Sequence, residues 1–517
     1  LGGHSLLAMQ LVARLREAGS RLAVRDVFDQ PVLQTLAQRM RADTPSDLTD
    51  APSAIPLGTQ RLTPDDVPMA GLSQAALDTL VARIPGGLDN LQDVYPLGPL
   101  QEGLLVHHRL HPDQDPYWLD LVLAFDEEQA MQDHAQALQR IAARHDAWRT
   151  RFAWDDLPHP VQLVLRHAPP TLTTHALEPG EDAEATLRRH VQQTRFDLQH
   201  TPLVRLHAMQ DTTHRRWLLA VQMHHLIGDQ LSQEIVSLET AAILAGREAE
   251  LPPAPAYRHF VQATCAADGA TQEAHFKALL GDLAEGTVPF GVSAIGPEGV
   301  DAHRVRLDTA ASAALRAAAR RQGVPVSVLA HTAWALLLAR CSARDDVVFG
   351  TVLSGRLAGG GDTARTVGLF VNTLPLRLRL AGQSAAQAVR QTRETLTGLM
   401  AHEQTPLAVA QRCSAVPAAR PLFTSNLNFR SQREAAAVRD GRVLSRSQGT
   451  HYPIGVAIDD LGDGFEIEAQ CAAGIAPQAL AAQLLQALKG LADALLDAPD
   501  TPALAIEVLP PAQRHQQ

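Results

Sequence analysis

Residues 217–229 read Trp-Leu-Leu-Ala-Val-Gln-Met-His-His-Leu-Ile-Gly-Asp, a largely apolar run that ends in two adjacent histidines and an aspartate. An apolar run of this length predicts a buried strand, and Gly228 predicts a turn after it. A strand end followed by a loop is where a scaffold presents reactive side chains. The pattern therefore predicts a strand-and-loop scaffold that offers His224 and His225 to a cleft.

Adjacent histidines also have explanations other than catalysis. They can be core residues satisfied by backbone hydrogen bonds, or they can bind a metal. No third ligand at ordinary spacing lies near His224 and His225, and the four cysteines form no CxxC pair: Cys265, Cys341, Cys413 and Cys471. We therefore predict no metal centre. A histidine that titrates near neutral pH is suited to proton transfer.

The same alternation of helices and strands extends along most of the chain. Apolar periodicity predicts helices over 128–145, 182–193, 310–322 and 326–341. Short apolar runs predict strands at 119–125, 161–164, 217–223, 347–352, 374–380 and 465–471. The total predicts an α/β fold of two lobes, each of about 200 residues, joined near residues 266–271.

The start of the chain has a different character. Ser5 follows two glycines and precedes an apolar helical pattern, so it is an ordinary helix N-cap or the attachment point of a phosphate at a helix N-terminus. A second helical pattern covers 32–40, and polar residues with prolines follow to about residue 67. Because the chain opens without Met, we expect a piece of a longer polypeptide.

Composition excludes several classes of protein. The 517 residues carry a net charge of −11, and the 45 Lys and Arg residues are spread along the chain, which argues against a nucleic-acid partner. We find no basic-then-apolar leader and no uncharged apolar run of about 18 residues, so we predict no membrane partner. The widely spaced cysteines favour a reducing setting, and we expect a cytoplasmic protein.

Residues 1–8 (LGGHSLLA) resemble the 4′-phosphopantetheine attachment site of a peptidyl carrier protein from a nonribosomal peptide synthetase. The resemblance implies that Ser5 carries a covalent 4′-phosphopantetheine arm whose thiol holds an aminoacyl or peptidyl group as a thioester. The helix and loop that precede this serine in carrier domains are missing, so residues 1–41 would be only the C-terminal part of a small all-α carrier.

Residues 224–229 resemble the HHxxxDG signature of condensation domains from the same synthetases, with Gln230 in place of the glycine. Further elements of that family follow in order over about residues 64–510: 95–103 (YPLGPLQEG), 144–150 (RHDAWRT), 349–356 (FGTVLSGR), 367–375 (VGLFVNTLP), 402–407 (HEQTPL) and 420–423 (RPLF). The resemblance implies two lobes like chloramphenicol acetyltransferase, arranged as a V-shaped pseudo-dimer.

The family resemblance also implies roles for individual residues. His225 would accept or orient the proton of the attacking amine while two tethered substrates are held face to face. His224 and Asp229 would be mainly structural, and Asp229 would pair with Arg356, because a buried carboxylate needs such a partner.

A second adjacent pair, His107 and His108, opens the stretch 107–115 (HHRLHPDQD), which resembles the HHxxxxxGD element of dual epimerisation/condensation domains with Gln114 at the glycine. The segments 64–72 and 451–460 also resemble this subtype. Epimerisation needs a base for the Cα proton and a group that returns a proton to the other face. We expect His225 as one group and His107, His108 or Glu102 as the other, against the alternative that the second pair arises by chance and the domain only condenses.

The predicted order is a partial carrier (1–41), a linker (42–67), the N-terminal lobe (68–268), the C-terminal lobe (269–510) and the start of a linker to an adenylation domain (511–517). Expected partners are upstream and downstream carrier domains with tethered aminoacyl or peptidyl groups, neighbouring adenylation domains and a phosphopantetheinyl transferase. Two other classes share the fold: an acyltransferase that uses free coenzyme A, which would not need Ser5, and a non-catalytic docking domain, which would not need the histidines.

Overall fold

A computed structural model of the protein describes residues 20–21, 33–39, 41–42, 55–111, 115–200, 202–296, 298–356, 361–431 and 441–511. In the carrier region these include helix α1 (Leu33–Arg39) and two short antiparallel strands, β1 (Ser20–Arg21) and β2 (Arg41–Ala42). The helix lies where the sequence predicts one. Ser5 and the helix predicted after it lie outside the described residues.

The rest of the described chain is a mixed α/β fold, as predicted. Its strands are β3 (Leu91–Pro96), β4 (Trp118–Phe125), β5 (Thr150–Ala153), β6 (Val161–Leu165), β7 (Leu172–His175), β8 (Val204–Asp211), β9 (Arg216–His224), β10 (Val300–Arg306), β11 (Asp346–Leu353), β12 (Asn372–Arg379), β13 (Ser425–Ser431), β14 (Gly441–Gln448), β15 (Ile454–Asp460) and β16 (Phe465–Ala472).

The helices of this body are α2 (Gln74–Ala82), α3 (Pro99–Leu110), α4 (Glu128–Arg144), α5 (Ala183–Gln193), α6 (Gln230–Leu244), α7 (Arg258–Cys265), α8 (Gly269–Leu280), α9 (Thr309–Gln322), α10 (Val326–Ser342), α11 (Ala385–Ala401), α12 (Leu407–Arg412) and α13 (Pro477–Asp497). The predicted helices correspond to α4, α5, α9 and α10. The predicted strands correspond to β4, β6, β9, β11, β12 and β16.

Two sheets organise the first half of the chain. One has the strand order β14-β4-β9-β8-β7, and a smaller one has the order β3-β6-β5. Helix α4 covers the larger sheet because its apolar positions repeat at helical spacing, and Met131, Leu138 and Ile141 are buried in the same core as Leu219 of β9. This core supports the strand that ends in the two histidines.

A six-stranded sheet organises the second half, in the order β10-β16-β15-β13-β11-β12. Helix α10 is buried almost all round in its core, and α13 packs beside it through Leu484, Leu488 and Leu491. By length and composition alone α13 could cross a membrane, but core helices of globular proteins share that composition.

One strand joins the two halves. β14 belongs to the second half in sequence, yet it pairs antiparallel with β4, with Gly441 opposite Phe125 and Gln448 opposite Leu119. The chain then returns to the six-stranded sheet as β15. The predicted lobe boundary at residues 268 and 269 stays a prediction. The pairing of β14 with the sheet of the first half was not indicated by the sequence patterns.

Candidate active site at the end of strand β9

Strands β4 and β9 fix the backbone of the two adjacent histidines. Trp118 pairs with His224, the last residue of β9, and the N–H of His225 donates to the carbonyl of Tyr117 over 2.8 Å. A 3-10 turn over His225–Ile227 follows and ends the ladder. The predicted strand-and-loop placement of the histidines is therefore present.

His224 is held at both ring nitrogens. Its Nδ1 accepts a hydrogen bond from the N–H of Leu226 over 3.1 Å, and its Nε2 lies 3.0 Å from Oδ2 of Asp115. Because Nδ1 is an acceptor, the proton of the neutral ring is on Nε2, which donates to the carboxylate. With an exposed fraction of 1%, His224 is part of the support beneath the site.

His225 differs from its neighbour because the residue is partly exposed, whereas His224 is buried. Its Nδ1 is buried and has no hydrogen-bond partner in the part of the chain that the structure describes. Burial lowers the pKa of His225, although the backbone carbonyls of His225 and Gly228 and the charge of Asp229 act in the other direction. The ring is therefore neutral near pH 7, which is the state that can accept a proton.

Asp229 and Arg356 form the ion pair that the family resemblance implies. Nη2 of Arg356 lies 2.9 Å from Oδ1 and 3.1 Å from Oδ2 of Asp229, and both residues are buried. Asp229 is also the N-cap of α6, because its Oδ1 accepts from the N–H of Ser232 over 2.8 Å. The aspartate therefore fixes the end of the histidine loop and the start of the next helix.

Arg356 attaches this loop to the second half of the chain. Its Nη1 donates to the carbonyl of Thr366 over 2.9 Å, and its guanidinium lies over the ring of Phe370 at 3.8 Å. The N–H of Phe370 donates in turn to Asp229. Gly355 has a φ of +69°, and a Cβ there would lie 1.6 Å from the Phe370 carbonyl oxygen, so this approach requires glycine.

The second histidine pair is divided between two environments. Nδ1 of His108 lies 2.7 Å from Oδ2 of Asp115, the same oxygen that binds His224. Burial by itself would raise the pKa of Asp115, but the hydrogen bonds from His108 and His224 outweigh burial and hold that pKa well below its ordinary value. The carboxylate is therefore charged and joins α3 to the end of β9.

His107 faces a group of aromatic rings. Its ring centroid lies 5.3 Å from that of Tyr117 and 5.5 Å from that of His451, and its buried Nδ1 has no hydrogen-bond partner among the described residues. Burial lowers the pKa of His107, and it lowers the pKa of His451 to about 3. The N–H of His225 donates to the carbonyl of Tyr117, so the aromatic group around His107 adjoins the backbone of the histidine loop.

The other predicted site residues are placed differently. Glu102 lies on the exposed side of α3, and the side chains with which it interacts electrostatically include His159 and Cys265. At about 100° per residue, a helix turns Glu102 away from both His107 and His108. Ser5 and Gln114 lie outside the described residues.

Three residues of this region were not among the predicted site residues: Asp115, Tyr117 and His451. Asp115 ends the stretch 107–115 that suggested the second motif, and that position was its only signal. His451 opens the segment 451–460, whose resemblance to the dual epimerisation/condensation subtype was its signal, and it reaches the site because β14 pairs with β4. Nothing in the sequence pattern singled out Tyr117.

Comparison with known families gives two matches. Residues 91–517 match the family described as "Condensation domain", and residues 1–40 match the family described as "Phosphopantetheine attachment site". The order of the two matches is the predicted order of carrier part and catalytic domain.

Known proteins are similar over most or all of the chain. Malpibaldin synthetase of Mortierella alpina is 38% identical over 541 residues, which covers 99% of this chain and 10% of that protein. Malpinin synthetase of the same organism is 36% identical, and a linear gramicidin synthase of Brevibacillus parabrevis is 32% identical over 71% of this chain and 8% of its own length. The chain therefore spans a tenth or less of these three relatives.

Solved structures share the fold. The first condensation domain of the CDA synthetase has a TM-score of 0.65 at 19% identity, over 81% of this chain and 99% of that one. The X-domain in complex with OxyB from teicoplanin biosynthesis has the same TM-score, 0.65, at 21% identity, over 80% of this chain and 96% of that one. At these identities the likeness concerns the fold alone.

Proposed function

Because the chain belongs to the condensation-domain family of nonribosomal peptide synthetases and its residues 1–40 match the phosphopantetheine attachment site family, we propose that it joins two carrier-bound substrates through an amide bond. The amine of a downstream aminoacyl group attacks the thioester of an upstream aminoacyl or peptidyl donor. The new C–N bond replaces the C–S bond, and the donor thiol leaves. Phosphopantetheine on Ser5 would supply such a thioester tether.

The observation that carries this proposal is the state of His225. Its backbone is fixed by Tyr117, the residue is partly exposed, and its partial burial lowers its pKa so that the ring is neutral. A neutral imidazole can take the proton that the amine loses as the C–N bond forms and can return it to the departing thiolate. Holding the two tethered ends together removes much of the remaining barrier.

We propose further that the domain epimerises the donor at Cα before transfer. One group removes the Cα proton, the thioester carbonyl takes the electron pair as an enolate, and a second group returns a proton to the opposite face from its protonated form, which for His107 is the minor form near pH 7 because burial lowers its pKa. The two groups then exchange a proton with each other or with solvent. His225 is proposed as one group, and His107 or His108 as the other.

Geometry favours His107 over His108 and Glu102 for the second role. His107 keeps an unpartnered ring nitrogen among the described residues, and its ring packs against Tyr117, whose carbonyl accepts the N–H of His225. His108 is already bound to Asp115, and Glu102 is on another side of the helix.

The epimerisation proposal is tested with L-leucyl, L-phenylalanyl and L-alanyl groups loaded in turn on the upstream carrier. In deuterated buffer without acceptor, the parent protein should introduce deuterium at Cα and produce D-aminoacyl groups. His107→Ala should abolish both while amide formation from a D-donor continues. If His107→Ala and His108→Ala both convert the L-donor at the parent rate, this assignment is wrong.

Two alternatives make different predictions. A condensation-only domain would form the amide without deuterium at Cα. An acyltransferase that uses coenzyme A would accept a soluble aminoacyl-coenzyme A donor as readily as a carrier-bound one. A non-catalytic docking role is a third alternative, suggested by the likeness to the teicoplanin X-domain, but a site that retains His224, His225 and Asp229 favours catalysis.

Adenylation neighbours and a phosphopantetheinyl transferase are proposed partners.

A further inference from the structure

One carboxylate oxygen binds two histidines from different parts of the chain. Oδ2 of Asp115 lies 2.7 Å from Nδ1 of His108, on α3, and 3.0 Å from Nε2 of His224, at the end of β9. The other oxygen, Oδ1, accepts the N–H of Tyr117 over 3.0 Å. Asp115 therefore binds His224, which precedes His225 in the chain, and Tyr117, whose carbonyl accepts the His225 N–H.

We propose that Asp115 and His108 are positioning residues for His225, acting through His224. This inference rests on the proposed amide-forming function for its kinetic test. It assigns His108 to the support of the histidine loop, and it leaves His107 as the member of that pair that faces the aromatic group.

The mechanism of positioning is a choice of tautomer. Nδ1 of His224 can accept the Leu226 N–H only while it carries no proton. The Asp115 carboxylate draws the ring proton to Nε2 and so keeps Nδ1 free. Without the carboxylate, the tautomer that has a proton on Nδ1 would place two donors against each other, and the turn that contains His225 would lose this hydrogen bond.

His108 strengthens this arrangement from the opposite side. A hydrogen bond to an ionised carboxylate is shorter and stronger than a neutral one, and the 2.7 Å separation from Asp115 fits that class. The exposed fractions of the two side chains, 15% for His108 and 12% for Asp115, leave the pair partly shielded from water. His108 therefore holds Asp115 in the position that His224 requires.

The kinetic test measures amide formation between a D-leucyl donor carrier and a glycyl acceptor carrier. Asp115→Ala and Asp115→Asn should lower kcat by about tenfold or more while KM for either carrier changes less than about twofold, because small displacements of a catalytic group cost rate. His108→Ala should lower kcat less, and Asp115→Glu should recover part of it. The effects of Asp115→Asn and His108→Ala should be non-additive, because the two residues share a hydrogen bond.

The matched control is Asp197→Asn. Asp197 accepts from His200 over 2.8 Å, but both side chains are mostly exposed, so this loss should leave kcat unchanged. Folding of each variant is checked by its urea midpoint. If folded Asp115→Asn and His108→Ala proteins keep the parent kcat, the inference is overturned.

A second readout does not depend on activity. In protein labelled with nitrogen-15 in its histidine rings, His224, identified by comparison with His224→Gln, should show a protonated Nε2 and an unprotonated Nδ1. Asp115→Asn should convert this signal to a mixture of tautomers. An unchanged His224 tautomer in Asp115→Asn would contradict the inference. If the tautomer changes as expected but the parent protein forms no amide, only the proposed function is contradicted.

Discussion

Arg356 and Asp229 join the two halves of this protein at the histidine loop: Nη2 of Arg356 is 2.9 Å from Oδ1 and 3.1 Å from Oδ2 of the carboxylate. Their buried charges stabilise each other and cannot be hydrated. Removing one partner should therefore cost far more than the net contribution of the pair.

Arg356→Met should lower the free energy of unfolding by about 3–5 kcal/mol, because it leaves an unpaired buried carboxylate. Adding Asp229→Asn should recover part of this loss, since the amide oxygen still caps α6 but carries no charge. Urea unfolding of the parent, the single variant and the double variant measures both effects. Equal urea midpoints for the parent and Arg356→Met would contradict this account of the pair.

The pH dependence of amide formation should report the His225 ring. Since burial lowers its pKa below the ordinary value of 6.5, the neutral form should persist as the pH falls below 6.5. The rate of amide formation, measured with both carriers at saturating concentration, should therefore decline in acid with a midpoint below pH 6.5. His225→Gln should lower kcat by about 100- to 10,000-fold and remove this acid limb. An acid limb centred above pH 6.5 would contradict the lowered pKa of His225.

Protein stability should fall in weak acid because of His134. This residue is 7% exposed beside Phe125, its Nδ1 has no hydrogen-bond partner among the described residues, and burial lowers its pKa to about 4. The ring is neutral in both states above pH 6.5. As the pH falls from there towards about 4, the unfolded chain binds the proton first, so the folded state loses stability.

His134→Leu should remove about 2 kcal/mol of the stability loss between about pH 7.5 and about pH 5. Urea unfolding at the two pH values measures the difference. His200→Leu is the control, because the His200 side chain is 70% exposed and bound to Asp197 at the surface. If His134→Leu and the parent lose the same stability on acidification, the buried ring is not responsible.

Ser5 should accept a single phosphopantetheine. The test uses a polypeptide that contains the whole carrier domain, treated with coenzyme A and a phosphopantetheinyl transferase, followed by mass spectrometry of the peptide around Ser5. The mass of one phosphopantetheine should appear in the parent and be absent from Ser5→Ala. If the parent protein gains no mass, the proposal that Ser5 carries a phosphopantetheine tether is contradicted.

Local patterns predicted what depends on local sequence. The apolar run before His224 predicted the strand, and the helical periodicity of residues 128–145 predicted α4, because burial of one face imposes those spacings. The Asp229–Arg356 pair came from the family resemblance and from the need of a buried carboxylate for a partner.

Contacts between distant segments were less accessible to sequence reasoning. Whether His108 or His107 faces the loop depends on the rotation of α3, and the position of Asp115 depends on how the chain returns to β4. His451 reaches His107 only because β14 leaves its own half of the chain to pair with β4. Short motifs contain no information on this last contact, since His107 and His451 are separated by hundreds of positions.

The central claim, that the domain both inverts and joins its donor, is tested most directly by the chirality of the product. The upstream carrier is loaded with an L-leucyl group, the downstream carrier with a glycyl group, and the dipeptide is released and analysed by chiral chromatography. The account predicts D-leucyl-glycine. A product that contains only L-leucine would contradict epimerisation. The absence of any dipeptide with L-leucyl, L-phenylalanyl and L-alanyl donors would contradict amide formation itself.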